Sequence, residues 1–455
     1  MARPDPVVLD AVVKAYDVRG LVGEQLDADL VRAVGAAAAE VLVPEGGRFA
    51  VGRDMRPSSP ELVDAFVDGV TGRGTDVVDI GLASTDQLYF ASGVLDAAGA
   101  MFTASHNPAA YNGIKLCRPG AVPVAIDSGL AEIRDRAAAG TPTPVAARGQ
   151  RTHEDLLERF AAHVRSFVDV EGLRPVAVAV DAGNGMAGHV WPAVVAGLPI
   201  RTTPLYFALD GTFPNHPADP LDAANLRDLQ AEVRRADHAL GLAFDGDADR
   251  VFAVDEEGRP VAASLVGAVV ADRLLRRHPG ATVLYNLICS RTVPETVERA
   301  GGSAIRTRVG HSFIKRRMAE TDAVYGVEHS GHHYFRDNYR ADSGVIAALL
   351  LLEAVAAADA PLSEVVLPYD RYVASGEVNF TVAVADPVID AVAAVFTARG
   401  DTEFEDGLTV TLPDGWFNLR PSNTEPLLRL NVEADDLDAM RSLRDEVARI
   451  VAAAA

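Results

Sequence analysis

The sequence contains little cysteine and no long apolar segment. Two cysteines among 455 residues, Cys117 and Cys289, are too few for a disulfide framework or a four-thiolate metal site. The longest apolar run, at 345–352, ends at Glu353 and is much shorter than the roughly 20 residues that a membrane-spanning helix needs. The first residues do not form a signal-peptide pattern. These absences predict a cytoplasmic protein that has no membrane partner.

Positive charge is also scarce. The 42 Lys and Arg residues face 64 Asp and Glu residues, which gives a net charge of −22. Such a field repels nucleic acids, so we expect no nucleic-acid partner. The lysines are Lys14, Lys115 and Lys315, and the remaining basic residues are arginines, which is typical of a GC-rich genome. Each lysine lies close in sequence to a motif described below, which predicts local positive charge at a site within an acidic protein.

Three segments of the chain repeat one pattern. Each reads as a strand, a helix and a second strand in about 30 residues, the length of a βαβ crossover. The predicted elements are 48–52, 60–70 and 76–80, then 176–180, 187–196 and 200–206, then 282–285, 293–300 and 304–309. The first and third helices begin with S-S-P-E and T-V-P-E, which predicts capping boxes. The sequence therefore predicts three related α/β domains.

The last part of the chain follows a different pattern. From Tyr372 on, short predicted strands alternate with turn signals, and a final helix is predicted at 436–453. Stretches containing Gly and Pro at 137–150 and 256–260 predict connections between the α/β units. The predicted fold class is thus α/β, with three related domains followed by a C-terminal α+β domain.

The motif F-D-G-D-A-D-R at 244–250 places three carboxylates, Asp245, Asp247 and Asp249, between two apolar strands. Three hard oxygen donors that converge on one point favour a divalent cation, since they would otherwise repel one another. An EF-hand is one alternative, but its sixth position would be Arg250 instead of glycine, and strands would flank it instead of helices. A solvated acidic turn is the other. We interpret the loop as a Mg²⁺ site.

The motif T-A-S-H-N-P at 103–108 holds Ser105 where a predicted strand gives way to a loop. An Asx-type turn is the simplest interpretation. A hydrolase nucleophile is disfavoured because no G-x-S-x-G surrounds it, and because His106 would point away from it in an extended chain. A phosphoserine, with its charge of about −2, would explain both a nearby metal and Lys115.

Two further loops are rich in polar groups. R-P-S-N-T-E-P at 420–426, with Arg429 beyond it, combines hydroxyls, an amide and guanidinium groups that suit a dianionic phosphate; a surface turn is the alternative. G-V-E-H-S-G-H at 326–332 suits either hydrogen bonding to sugar hydroxyls or zinc. Zinc is the weaker interpretation, because His329, His332 and His333 lack the helical i, i+4 spacing and no thiolate is near them in sequence.

The segment G-N-G-M-A-G at 183–188 matches the dinucleotide fingerprint G-x-G-x-x-G, and Asp210 follows it. Asp210 lies in a turn-like segment instead of at a strand end, and the other motifs indicate phosphate and metal. We therefore interpret these glycines as a tight turn between a strand and a helix, and disfavour a dehydrogenase.

Taken in order over essentially the whole chain, these motifs resemble those of the α-D-phosphohexomutase superfamily, specifically its bacterial phosphomannomutase and phosphomannomutase/phosphoglucomutase branch. Y-D-V-R-G at 16–20 adds to the resemblance. The resemblance implies three related α/β domains with mixed sheets and a distinct fourth domain, arranged around a central cleft. The implied domains are I at 1–148 with the phosphoserine loop, II at 149–256 with the metal loop, III at 257–366 with the sugar-recognition loop and IV at 367–455 with the phosphate-binding loop.

The resemblance also implies roles for individual residues. Ser105 corresponds to the phosphorylated serine, and one Mg²⁺ per chain is implied, with a phosphoserine oxygen, Asp245, Asp247 and Asp249 as its ligands. The implied contacts to sugar hydroxyls are Glu328 and Ser330. The residues implied around the non-reacting phosphate are Arg420, Ser422, Asn423, Thr424 and Arg429. Those implied around the transferring phosphoryl group are Arg19, Lys115, Arg250, His311 and His332, with Lys115 and His332 as the candidates for proton transfer.

The implied activity is the reversible interconversion of hexose 6-phosphate and hexose 1-phosphate, for mannose and also for glucose. It proceeds through a phosphoserine and a hexose 1,6-bisphosphate, which turns over in the cleft and also activates the dephosphorylated enzyme. The implied partner is a phosphosugar, and the chain is expected to be a monomer or homodimer. The alternatives are a phosphoglucosamine mutase, whose loop usually has Gln where this chain has His329, and an inactive sugar-phosphate-binding homologue.

The third domain departs from the resemblance at one position. Some relatives carry a lysine where this chain has L-I-C-S at 287–290. The candidates to replace that lysine are Asn286, Arg291 and Lys315. Gly326-Val327 also stands where Gly-Gly or Gly-Glu is more usual.

Overall fold

The computed structural model describes residues 4–422 and 427–454. These residues form two compact units. The first comprises the chain up to Ala263 together with Ser330–Val365, and the second comprises Ser264–His329 together with the chain from Val366 on. None of the helices within the described residues is long and apolar enough to cross a membrane.

The first region of the chain is a seven-stranded mixed sheet covered by helices. Its elements are α1 (Pro6–Val12), β1 (Val18–Leu21), α2 (Ala28–Leu42), β2 (Arg48–Arg53), α3 (Ser59–Thr71), β3 (Asp76–Leu82), α4 (Thr85–Leu95), β4 (Ala98–Phe102), β5 (Tyr111–Arg118), β6 (Val122–Pro123), α5 (Leu130–Ala138) and β7 (Arg151–His153). The strand order is β1-β5-β4-β2-β3-β7, with β6 paired to β5. Strands β4, β2, β3 and β7 are parallel, and β5 runs antiparallel to both β4 and β1.

A second mixed sheet follows in the same unit. Its elements are α6 (Leu157–Arg165), β8 (Val176–Asp181), α7 (Ala187–Val195), β9 (Ile200–Leu205), α8 (Arg227–Arg235), β10 (Leu240–Phe244), β11 (Val251–Asp255) and β12 (Pro260–Val261). The order is β12-β11-β10-β8-β9, in which β8 is parallel to β9 and β10 whereas β11 is antiparallel to β10. The antiparallel turn between β10 and β11 carries the acidic motif.

The third region contains α9 (Ala263–Arg277), β13 (Thr282–Asn286), α10 (Thr292–Arg299), β14 (Ser303–Thr307), α11 (His311–Thr321), β15 (Tyr325–Val327), β16 (His333–Phe335), α12 (Gly344–Ala358) and α13 (Leu362–Val366). Strand β13 is parallel to β14 and β15 in the second unit. Helix α12 lies in the first unit, where it packs against α6, β8 and β11. It contains the apolar run noted in the sequence, and nearly every residue of it is buried.

The C-terminal region is an antiparallel sheet in the order β17-β21-β20-β19-β18, with helices on one face. Its elements are β17 (Val373–Thr381), α14 (Ala385–Phe396), β18 (Asp401–Glu403), β19 (Leu408–Leu412), β20 (Gly415–Pro421), β21 (Leu427–Ala434) and α15 (Leu437–Ala454). Phe417 packs edge-on against Phe396 in the core between the sheet and its helices, with the ring centroids 4.9 Å apart. The predicted α/β class, with three α/β domains and a different fourth one, is confirmed.

The predicted capping boxes at the starts of α3 and α10 are wrong. Ser58 is the N-cap of α3 but makes no side-chain cap bond, and its Oγ instead accepts from Asn112 Nδ2 at 2.9 Å. Thr292 lies inside α10 and donates its hydroxyl to the Tyr369 carbonyl at 2.6 Å. In both places a tertiary hydrogen bond takes the hydroxyl that the local motif would have used.

The glycine-rich segment after β8 is a tight turn, as predicted. Gly183 and Asn184 both have positive φ, at 52° and 58°. At Gly185 a Cβ would lie 2.7 Å from the Gly246 carbonyl oxygen, so only glycine lets this turn pack against the acidic loop. This turn, which follows β8, supports the acidic loop.

Candidate active site

The serine loop and the acidic loop meet in the first unit. The serine loop follows β4 and the acidic loop follows β10. Ser105 Oγ donates to Asp245 Oδ2 at 2.7 Å, although the two residues are 140 positions apart. A Cβ on Gly246 would lie 2.4 Å from the Ser105 carbonyl oxygen, so this glycine permits the close approach of the two backbones. The fold therefore brings the two motifs into direct contact.

Ser105 has an uncommon backbone conformation. Its φ is 48°, in the left-handed region that residues other than glycine rarely adopt. Its N–H donates to Thr103 Oγ1 at 2.9 Å, and the residue is 5% exposed. Because the chain is not extended here, the prediction that His106 points away from Ser105 is wrong: His106 Nδ1 lies 3.3 Å from Ser105 Oγ. Such strain is found mainly where a functional site requires it.

His106 is nevertheless not a base for this serine. Arg250 Nη2 donates to His106 Nδ1 at 2.6 Å, and a guanidinium group can only donate. Burial, together with the charge of Arg250, lowers the pKa of His106 to about 2, so the imidazole is neutral. Its Nδ1 lone pair is therefore already used, which argues against a Ser–His hydrolase pair.

The acidic loop is a buried cluster of carboxylates. Asp245, Asp247 and Asp249 are at most 1% exposed, and one oxygen from each lies within 4.8 Å of the others. Burial excludes the solvated acidic turn, and the flanking strands β10 and β11 exclude an EF-hand. The geometry matches the predicted convergence of three hard oxygen donors.

Two cations share this cluster. Lys115 Nζ lies 2.7 Å from Asp247 Oδ2 and 2.5 Å from Asp249 Oδ2, and Arg250 Nε donates to Asp245 Oδ2 at 3.0 Å. Burial would lower the pKa of Lys115, but the two aspartates raise it well above its usual value. Burial raises the pKa of Asp245 to about 7 in spite of Arg250. Positive charge is thus concentrated where the serine meets the acids.

The donor set fits a divalent cation. Asp247 Oδ1 and Asp249 Oδ1 are buried and have no hydrogen-bond partner among residues 4–422 and 427–454. Buried anionic oxygens without a partner are costly, and a hard cation such as Mg²⁺ satisfies them with the ligand type that it prefers. The buried acidic triad is therefore capable of binding a metal.

Arg19 reaches the serine loop from β1. Its Nη1 donates to Asn107 Oδ1 at 2.6 Å, and its Nη2 donates to Asp17 Oδ2 at 2.5 Å. Lys115 also lies at the site, on β5, whereas Lys14 is exposed. Of the two lysines near these first-unit motifs, one lies in the site.

His332 also lies beside the acidic loop. Its Nδ1 is 3.0 Å from Asp342 Oδ2 and 3.9 Å from Asp249 Oδ1, and its backbone bridges to Arg250. A carboxylate at Nδ1 favours the tautomer that leaves Nε2 as the acceptor. In the part of the chain that the structure describes, the groups able to hold a metal do not combine His332 with His329 or His333, so the geometry does not support the zinc alternative.

In the second unit, Glu328 lies just after β15 and is 3% exposed. Its Oε2 accepts from Asn286 Nδ2 at 3.2 Å and from the Gly310 N–H at 3.3 Å. Asn286 Oδ1 in turn accepts from the Cys289 thiol at 3.1 Å. Ser330, two residues after Glu328, is half-buried and belongs to the first unit.

Of the three candidate lysine replacements, Asn286 contacts Glu328 directly, through the hydrogen bond described above. Arg291 instead pairs with Asp435 at 2.8 Å and lies over the Tyr372 ring. Lys315 is buried in α11, the helix that begins at His311.

Arg420 and Arg429 lie opposite each other on β20 and β21. Arg420 is 3% exposed. The Ser422 N–H donates to the Leu427 carbonyl at 2.8 Å, at the base of the loop between the two strands. Asn423 and Thr424 lie outside the described residues.

Arg56 holds the serine loop in place and was not anticipated from the sequence. It is 1% exposed, and its guanidinium group donates to four carbonyls. These are the carbonyls of Ser105 at 2.9 Å, Asn107 at 2.7 Å, Pro108 at 2.9 Å and Tyr111 at 3.0 Å. Asp54 pairs with Arg56 Nε at 3.1 Å. The available signal was an Asp-x-Arg sequence between a strand and a helix, but no local rule relates it to a loop about 50 residues away.

Arg56→Lys is expected to reduce kcat by about 10- to 100-fold, because an ammonium group cannot make the planar set of hydrogen bonds and the serine loop will shift. Steady-state kinetics and a thermal melt will measure the effect. Arg53→Lys is the matched control, since the Arg53 guanidinium group makes a long contact, at 3.4 Å, to the Asp54 carbonyl instead of a set of short ones. An unchanged kcat in the Arg56 variant would show that the loop does not depend on these hydrogen bonds.

Comparison with known proteins agrees with this geometry. The chain matches the phosphoglucomutase/phosphomannomutase family in all of its domains, which are alpha/beta/alpha domain I at residues 10–143, domain II at 158–258, domain III at 264–372 and the C-terminal domain at 377–450.

Individual relatives match over nearly the full chain. A phosphomannomutase of Salmonella montevideo is 38% identical over 96% of this chain and 98% of its own length. A phosphoglucomutase of Neisseria meningitidis is 36% identical over 97% of this chain and 96% of its own. The crystal structure of a phosphoglucomutase/phosphomannomutase family protein from Burkholderia thailandensis has a TM-score of 0.88 and 33% identity, and the match covers 98% of this chain and 97% of that chain. The chain therefore belongs to the phosphoglucomutase/phosphomannomutase family of phosphohexose-isomerising enzymes.

Proposed function

We propose that this hexose-phosphate isomerase interconverts the 6- and 1-phosphates of mannose, and also those of glucose, through a phosphoserine at Ser105. The observation that carries the proposal is the contact of Ser105 Oγ with Asp245 at 2.7 Å, in a cluster that also contains Lys115 and Arg250. A serine held in a strained backbone against buried acids and fixed cations suits phosphoryl transfer better than acyl transfer.

The proposed cycle has two transfers. In the first, the hydroxyl of a hexose 1- or 6-phosphate loses its proton to a base, and its oxygen forms a bond to phosphorus. The bond between phosphorus and Ser105 Oγ breaks, and Oγ leaves with the electron pair and takes up a proton. The product is a hexose 1,6-bisphosphate. It turns around, and its other phosphoryl group returns to Ser105 while the released sugar oxygen regains a proton. The same bisphosphate would phosphorylate, and so activate, an enzyme that has lost its phosphate.

Asp245, Asp247 and Asp249, with an oxygen of phosphorylated Ser105, would hold one Mg²⁺ per chain. When bound, the ion supplies neutralising charge to the phosphoryl oxygens as negative charge develops on them. Asp247 Oδ1 and Asp249 Oδ1, which have no hydrogen-bond partner in the described part of the chain, support this assignment.

His332 is the better candidate for the base, and Lys115 for a fixed positive charge. Asp342 accepts at the Nδ1 side of His332, which favours an acceptor at Nε2. Lys115 is held between two carboxylates that raise its pKa, which supports a fixed positive charge there more than a proton transfer. We propose that Lys115, Arg19 and Arg250 stabilise the transferring phosphoryl group.

Residues of the third region and of the C-terminal region take the remaining roles. We assign the sugar hydroxyls to Glu328 and Ser330, a phosphate contact to His311, and the non-reacting phosphate to a set comprising Arg420, Ser422, Asn423, Thr424 and Arg429. The burial of Glu328 and its anchoring by Asn286 support its role, because a fixed carboxylate can accept from a hydroxyl of either sugar orientation. We also propose that the four domains lie at 1–148, 149–256, 257–366 and 367–455. The enzyme is proposed to be a monomer or a homodimer.

Turnover of mannose 1-phosphate, glucose 1-phosphate and glucosamine 6-phosphate, followed by ³¹P NMR with trace hexose 1,6-bisphosphate and Mg²⁺, tests the proposed substrate. We expect the highest kcat/KM with mannose 1-phosphate and measurable conversion of glucose 1-phosphate. A preference for glucosamine 6-phosphate would replace the mannose proposal with the phosphoglucosamine alternative. Binding without turnover of any of the three would indicate an inactive sugar-phosphate-binding protein.

A further inference from the structure

One face of the C-terminal sheet is polar. The side chains on its opposite face, including Phe417, Leu428 and Leu430, lie in the core beneath α14 and α15. Because side chains alternate along a strand, the residues between them point the other way. Those neighbours include Arg420 on β20 and Arg429 on β21, the two arginines assigned above to the non-reacting phosphate.

The two arginines are neighbours with like charge. They are register partners across an antiparallel pair, which is the arrangement in which like charges destabilise a sheet. Arg420 is almost completely buried, and burial lowers its pKa, with Arg429 adding to the effect. A negative charge close to both arginines therefore stabilises the pair when no phosphate is bound.

Glu377 on β17 supplies that charge. Its Oε1 lies 3.6 Å from Arg429 Nε, and its Oε2 lies 3.9 Å from Arg420 Nη2. The side chain is 29% exposed, so it retains some freedom to move. On the paired strands Glu377 is opposite Asn431, two residues from Arg429, which places the two side chains on the same face of the sheet.

Other carboxylates also act on Arg420 but are anchored elsewhere. Asp406 accepts from the Val309 N–H at 3.2 Å. Glu328 accepts from Asn286 and Gly310, as described above. Within residues 4–422 and 427–454, Glu377 is thus a partly exposed carboxylate that lies within 3.9 Å of both guanidinium groups.

We propose that Glu377 is an internal counter-ion that occupies the place of the sugar phosphate beside Arg420 and Arg429, and that it weakens phosphate binding in order to permit release. The inference rests on the proposed function, because that function assigns the non-reacting phosphate to these arginines. In that cycle the phosphate must leave the arginines when the bisphosphate turns around and again when product departs. A carboxylate that can replace the phosphate keeps the arginines neutralised while the phosphate is away. It also weakens binding that is equally strong in the ground state and the transition state, and such binding would lower KM without raising kcat.

Glu377→Gln is expected to have opposite effects on the affinity for phosphate and on the thermal stability of the free protein. Removing the charge takes away a competitor for the phosphate and also takes away a negative charge that lies beside both arginines in the free protein. We expect the variant to bind mannose 1-phosphate and inorganic phosphate about three- to tenfold more tightly, measured by calorimetric titration. We also expect a lower melting temperature without ligand, a larger upward shift on adding phosphate, and a kcat that does not increase. Unchanged or weaker binding of both probes would overturn the inference.

Three further variants make the result specific. Glu377→Asp keeps the charge and is expected to bind like the wild type, so a gain there equal to that of the Gln variant would contradict a charge effect. Glu403→Gln is the matched control, since Glu403 forms an ion pair with Arg306 in the same unit and its loss should leave phosphate affinity unchanged.

Arg420→Ala tests the phosphate site separately from the role of Glu377. If it leaves phosphate affinity unchanged, the assigned phosphate site is wrong and the inference fails with it. If it weakens binding while Glu377→Gln does not strengthen it, the phosphate site stands and the role of Glu377 alone is wrong.

Discussion

Replacing Ser105 with alanine is expected to reduce turnover by at least about 10³-fold, because the variant lacks the oxygen that carries the phosphoryl group. Folding should be little affected. The hydroxyl donates to Asp245, and that carboxylate keeps its hydrogen bonds from the Arg250 backbone N–H and Nε, at 3.2 Å and 3.0 Å. The measurement is steady-state kinetics with hexose 1,6-bisphosphate present, together with intact-mass and phosphopeptide analysis of the purified wild type.

Ser166→Ala is the matched control for this variant. Ser166 is an exposed serine of the same unit that donates to the His163 carbonyl at 2.6 Å, so its loss should leave turnover unchanged. A Ser105→Ala enzyme that retains near-normal turnover would eliminate the phosphoserine mechanism. Phosphate found on another residue of the active wild type would have the same consequence.

Removing divalent cations with a chelator is expected to abolish turnover, by about 10³-fold or more, and Mg²⁺ should restore it. The fold should persist, because Lys115 and Arg250 still neutralise much of the acidic cluster when no ion is bound. Circular dichroism and a melting curve will report the fold, and activity as a function of Mg²⁺ concentration will report the site.

Asp247→Asn tests the same cluster from the protein side. It removes one of the two unpartnered anionic oxygens, so the Mg²⁺ concentration that restores half of the activity should rise substantially. Asp255→Asn is the matched control: this buried aspartate on β11 accepts from the backbone of its own turn, which an amide oxygen can also do. Full activity of the wild type after exhaustive chelation would contradict the metal site.

Much of the fold follows from local pattern. The nine strands and helices predicted in the three repeated segments agree with β2, α3, β3, β8, α7, β9, β13, α10 and β14 within about two residues at each end. The agreement is good because secondary structure depends on interactions between residues a few positions apart, such as those within apolar runs and turns. The acidic motif was recognisable for the same reason, as its three carboxylates alternate within five residues.

Interactions between distant segments were not accessible in this way. The orientation of His106 was predicted from an extended chain, but the positive φ of Ser105 turns the side chain toward the serine. The serines and threonines of the predicted capping boxes bind tertiary partners instead. Arg56 and Glu377 belong to no recognisable motif, and each acts on residues that are about 50 positions away along the chain.

The sequence by itself determined the chemical inventory of this protein: a serine loop, three alternating carboxylates, a sugar-recognition loop and a pair of arginines in a strongly acidic chain. Only the tertiary structure decided which of these groups touch. Lys115 pairs with Asp247 and Asp249, and Ser105 rests on Asp245, because the first unit packs the end of one sheet against a turn of another. Glu377 lies near Arg420 because β17, β21 and β20 follow one another in a single sheet. Residue identity sets what a group can donate or accept, and strand order sets its partner.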